Sequence, residues 1–101
     1  MTGTRHAMPQ RPGSHTAYER TGELIVEWYD FGDHAPYESA NLLAFDGGAQ
    51  ERLAEALGVA PAPDTEGLAA LVAARFTSYF EVKQFAADHG IAFRAEVDFA
   101  P

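Results

Sequence analysis

Four ionisable side chains fall within nine residues of one another: Asp30, Asp33, His34 and Glu38. Carboxylates beside an imidazole form the donor set of a divalent-metal site, and the same groups serve as general acid and base. The spacing argues for something plainer. Asp30, His34 and Glu38 are four residues apart in turn, but Gly32 and Pro36 break the backbone around them, so they match no helical zinc pair. Asp, Gly and Pro are the residues a polar turn uses. The segment therefore reads as a turn, with Asp30, Asp33, His34 and Glu38 as the residues of a weaker metal or ligand-binding alternative. No catalytic residue, metal or cofactor is expected. Ser39 has no base near it in sequence, and Ser78 has a structural use described below. Gly47-Gly48 lacks the lysine that accompanies a phosphate-cradling loop.

Beside the turn lies a group of aromatic side chains: Trp28, Tyr29, Phe31 and Tyr37. Such rings can stack on bases, but no basic groove accompanies them, so packing or docking is the better use. The expected partner-binding set is Trp28, Tyr29, Phe31 and Tyr37 as anchors, with Asp30, Asp33 and Glu38 steering.

These residues need elements to hold them. Glu23–Phe31 alternates Leu24, Val26 and Trp28 with Ile25, Glu27, Tyr29 and Phe31. Strand side chains alternate faces, so both faces are apolar and the strand should be central in its sheet. Tyr37–Phe45 forms the second arm of a hairpin. Asp46 then stands at an N-cap position before a short helix, 49–57, with Gln50 and Glu51 outward. Two prolines stiffen the connector 59–65. A second helix, 66–76, follows an Asp64 or Thr65 cap and presents Leu68, Leu71, Val72 and Phe76 on one face. Ser78 and Glu81 have capping-box spacing, so the helix breaks at Thr77–Ser78 and a third begins at Tyr79, ending near Gly90. Ile91–Phe99 closes the chain with a regular alternation that sets Ile91, Phe93, Ala95, Val97 and Phe99 toward a core.

The expected fold is α+β: two layers, with a three-stranded antiparallel sheet in the order β-β-α-α-α-β and the helices on one face. The last strand is expected beside the first. Residues 1–20 mix Gly, Pro, Ser, His and Arg without period and read as a disordered tail; residues 21–101 read as a single domain.

Charge bounds the function. The first twenty residues hold three arginines against one glutamate, whereas the rest holds four basic against fourteen acidic residues. An acidic body disfavours direct binding to duplex DNA or to anionic membranes, and suits a basic protein partner. The chain has no cysteine, which excludes disulfides and thiolate chemistry and accords with a reducing, cytoplasmic setting. It has no apolar run of membrane-spanning length, and without an apolar stretch near residue 1 no secretory signal is expected. The sequence thus points to a small acidic, non-enzymatic module that docks a protein partner, in the manner of an inhibitor or antitoxin. A homodimer paired through its sheets is a further expectation.

Overall fold

The computed structural model describes residues 3–31 and 38–100, the last two by backbone alone. Its five strands are β1 (His6–Met8), β2 (Ser14–Arg20), β3 (Glu23–Asp30), β4 (Glu38–Phe45) and β5 (Arg94–Ala100). Three helices, α1 (Gly47–Ala56), α2 (Thr65–Arg75) and α3 (Tyr79–Asp88), lie between β4 and β5 in the chain. The sheet is antiparallel throughout, in the order β1-β2-β3-β4-β5. The α+β class stands as expected, but three strands was too low a count.

Both additional strands come from the segment expected to be a disordered tail. The turn at Thr21-Gly22 explains why. Its φ values are +49° and +83°, the two positive values that a two-residue type I′ hairpin turn requires. The turn folds β2 back on β3 in full register, from Arg20↔Glu23 to Ser14↔Tyr29. Gly13, at φ +81°, brings β2 so close to β3 that a Cβ there would lie 2.5 Å from the Tyr29 carbonyl oxygen. The strand order differs too. β5 pairs with β4, from Ala44↔Arg94 to Glu38↔Ala100, and not with β3. β3 is still central, but its neighbours are β2 and β4.

Each helix starts where a side chain can satisfy its first N–H groups. Asp46 accepts from Ala49 N–H at 2.9 Å, Asp64 from Gly67 N–H at 2.8 Å and Ser78 from Glu81 N–H at 3.1 Å. Thr77–Ser78 does separate α2 from α3. The returning half of the capping box goes one residue further back than its usual target, because Glu81 accepts from Thr77 N–H at 3.1 Å.

The helices pack on one face, mainly against β1 to β4. Leu24, Val26, Leu43 and Phe45 from the sheet meet Leu53, Leu68, Val72 and Val82, all fully buried. Met8 and Ala17, from the expected tail, belong to the same core. Gln50 was expected to face outward and is instead 5% exposed. Its amide nitrogen donates to the Gly22 and Phe45 carbonyls, both at 3.0 Å, and its oxygen accepts from the Thr65 hydroxyl at 2.7 Å. One amide thus ties the β2–β3 turn, the end of β4 and the start of α2. Replacing Gln50 with Ala strands these groups, which costs about 1–3 kcal/mol for unmet buried hydrogen bonds. Denaturant unfolding of Gln50→Ala measures it.

The last strand departs from expectation in its burial. Ile91 is buried and Phe93 packs on Phe45 at 5.7 Å between ring centroids. Beyond that point Ala95 is exposed and Val97 is 55% exposed. β5 is an edge strand, and the helix layer does not extend over its second half. Regular alternation identified the strand, but it could not show that the core ended beneath it.

Candidate interaction surface

The sheet face turned away from the helices is not simply wet. Tyr18, Ile25, Leu42 and Ala44 are buried there, in a second apolar cluster. Charged side chains roof it. Arg20 on β2 donates to Glu96 on β5 at 3.2 Å, reaching across both intervening strands. Arg94 donates to Glu23 at 3.0 and 3.1 Å and to Glu96 at 2.7 Å. Arginine can keep its charge at the surface while its stem covers apolar neighbours. The hydrogen bonds that Arg94 donates to Glu23 and then to Glu96 raise its pKa, and Arg94 is the first cause of the lowered pKa of Glu96.

Next to this roof the same face opens into a groove of about 560 Å³, lined by Arg5, Ser14, Thr16, Glu27, Tyr29, Phe31 and Glu38. Strand alternation sets Glu27 and Tyr29 on this face of β3, and the antiparallel registers bring Ser14 and Thr16 alongside them. Glu27 is 8% exposed. A buried carboxylate needs partners. Arg5 forms an ion pair with it, and the Thr16 hydroxyl lies at 3.5 Å. The Arg5 guanidinium also sits 4.0 Å above the Tyr18 ring, a cation–π contact. Burial opposes the charge on Arg5, but Glu27 outweighs it and the pKa rises. Burial, and then the charge of Glu27, raises the Tyr18 phenol. At the far end the Tyr29 hydroxyl donates to Glu38 at 2.6 Å, a bond that raises the Tyr29 pKa. Phe31 lies 5.3 Å from the Tyr29 ring and is 55% exposed.

The expected site residues are thus divided. Tyr29, Phe31 and Glu38 come together in the groove. Trp28 lies on the opposite face, 6.2 Å from the His15 ring and 4.8 Å from the Phe80 ring. By register Asp30 shares that opposite side with Trp28, while Glu38 shares the open face with Tyr29. Asp33, His34 and Tyr37 lie outside the described residues. Among the described residues no three His, Asp or Glu side chains are grouped to hold a metal ion. No helix among them is long and apolar enough to cross a membrane.

Sequence reasoning missed Arg5, Ser14 and Thr16 as groove residues; it set Glu27 on the same face as Tyr29 and Phe31 without assigning it to the docking set. The signal available was Thr21-Gly22 between two β-prone stretches, which would have placed Ser14 and Thr16 beside Tyr29 and Glu27. Comparison of the chain with protein-family models, with curated proteins and with solved structures gave no significant match.

Proposed function

We propose that the protein is a small, acidic, non-enzymatic module that docks a protein partner on its helix-free sheet face. The observation that supports this reading is the groove itself. It combines a half-exposed Phe31 and the Tyr29 ring with the carboxylates of Glu27 and Glu38. An aromatic anchor beside polar and charged groups is the composition of protein interfaces. The rest of the chain is strongly acidic, which favours a basic partner and speeds its encounter.

Affinity capture at low and high salt, with quantitative mass spectrometry, tests the proposal. The wild type should retain a stoichiometric protein at low salt and release most of it at high salt. Phe31→Ala and Tyr29→Ala should each reduce retention about tenfold or more, as truncated hot-spot anchors do. Phe80→Ala, on the opposite side, should leave it unchanged. Equal retention by the groove variants and wild type would remove the groove as the docking surface.

A further inference from the structure

We propose that a second copy of this chain pairs antiparallel along β5, joining two five-stranded sheets across a two-fold axis. The two edges of the sheet differ. β1 has three residues and runs directly into Pro9, which is one way natural sheets blunt an edge. β5 has seven residues, and among the described residues no strand pairs with its outer side. An unpaired edge of that length offers a row of N–H and C=O groups to another strand.

The charges on β5 favour its own copy as that strand. On the helix-free side it carries Arg94, Glu96 and Asp98, basic at the start and acidic at the end. Antiparallel pairing of two such strands sets the basic end of each against the acidic end of the other. Opposite charges directly across a ladder stabilise it and like charges destabilise it. A register centred on Glu96 opposes Arg94 to Asp98 of the partner subunit twice. Shifting the centre to Val97 would pair more residues but oppose Glu96 to Asp98 of the partner subunit twice, so charge selects the first register. This register has one like-charge contact, Glu96 against Glu96 of the partner subunit on the axis, and it is offset by the Arg94 and Arg20 that each Glu96 already holds within its own chain.

The other side supports the same pairing. In the register centred on Glu96, Ala95 faces Val97 of the partner subunit twice, both on the helix side. Ala95 is exposed and Val97 is 55% exposed. The α-helices pack mainly on β1 to β4, so this flank is open to a second sheet. A short strand interface is smaller than the roughly 1,600 Å² of standard complexes, so the dimer is weak and concentration-dependent. A two-fold contact of this kind uses the same patch on both subunits and closes, without forming fibres.

Sedimentation of the full chain over about 10 μM to 1 mM, the range of weak association, tests this. A monomer–dimer equilibrium is expected. Arg94→Asp and Asp98→Arg should each weaken self-association about tenfold, because symmetry counts every change twice. Mixing the two variants should restore it, since an acidic side chain then faces a basic one in both places. Circular dichroism would show that each variant is folded, and β5 amides in the wild type should gain protection from hydrogen exchange as concentration rises. A wild type that stays monomeric throughout overturns the proposal. So does a dimer that neither substitution weakens, or a mixture of folded variants that fails to associate. None of these outcomes bears on the groove, whose test uses different residues.

Discussion

A chain that begins at Thr21 will not fold. The first twenty residues look dispensable by composition, and trimming them is the usual treatment of a polar tail. Here they supply β1 and β2. Their removal takes Met8 and Ala17 from the main core and Tyr18 from the second cluster. Burial of a large apolar side chain contributes about 1.5–3 kcal/mol. The deletion also uncovers Leu24, Val26, Leu68 and Val72, and removes the β2 ladder from one side of the central strand. A domain of this size has about 5–15 kcal/mol of stability in all, so the losses exceed what it can absorb. Circular dichroism and denaturant titration of the truncated chain should show no cooperative transition. Starting at Pro9, which sacrifices β1 with its buried Met8, the Arg5 contacts and the Gly3–Glu19 backbone bond, should leave a folded but less stable protein. Limited proteolysis of the full chain should not release a stable fragment beginning near residue 20.

The same segment shows what was legible in the sequence and what was not. Local signals were read well. Asp46, Asp64 and Ser78 each stand one residue before a helix and cap it. Leu68 and Val72, spaced one turn apart, are both buried. Such features depend on neighbours a few residues away. His15 and Thr16 could not be read this way. Polar residues are expected outside unless a partner meets them, and their partners come from afar in sequence. His15 meets Tyr79, 64 residues on, and Thr16 meets Glu27. Gln50 was misplaced for the same reason. Of the candidate site, strand alternation correctly separated Trp28 from Tyr29 and Phe31. Pooling them into one docking set ignored that separation, and Arg5 was out of reach once its segment had been taken as tail.

Acid will destabilise this protein through His15. The residue is 1% exposed, on β2, with its ring stacked on Trp28 and edge-on to Phe80 at 5.9 Å. Its Nδ1 accepts from the Tyr79 N–H at 3.0 Å, at the first residue of α3. That bond requires an unprotonated Nδ1. A proton there would turn the acceptor into a donor facing another donor, and would put a positive charge at the positive end of a helix dipole. Burial is the main cause of the lowered pKa; nearby Arg11 lowers it further, and a hydrogen bond to the Pro12 backbone partly opposes them. In the unfolded chain His15 titrates near the ordinary value of about 6.5. Below that pH the unfolded state binds a proton that the folded state refuses, so stability is full above about pH 6.5 and falls as the pH drops toward the folded value. Chemical denaturation at pH 7.5, 6.5 and 5.5 should show the midpoint decreasing across this interval. His15→Phe keeps an aromatic ring beside Trp28 and Phe80 but leaves the Tyr79 N–H without its acceptor. It should cost about 1–3 kcal/mol at pH 7.5, the penalty for a stranded buried donor, and should flatten most of the dependence between pH 7.5 and 5.5. A dependence that survived undiminished in His15→Phe would exclude His15 as its source. The coupling has a structural consequence as well. His15 ties β2 to the start of α3, so its protonation loosens the helix layer where Phe80 covers Trp28, while the groove on the opposite sheet face keeps its own contacts.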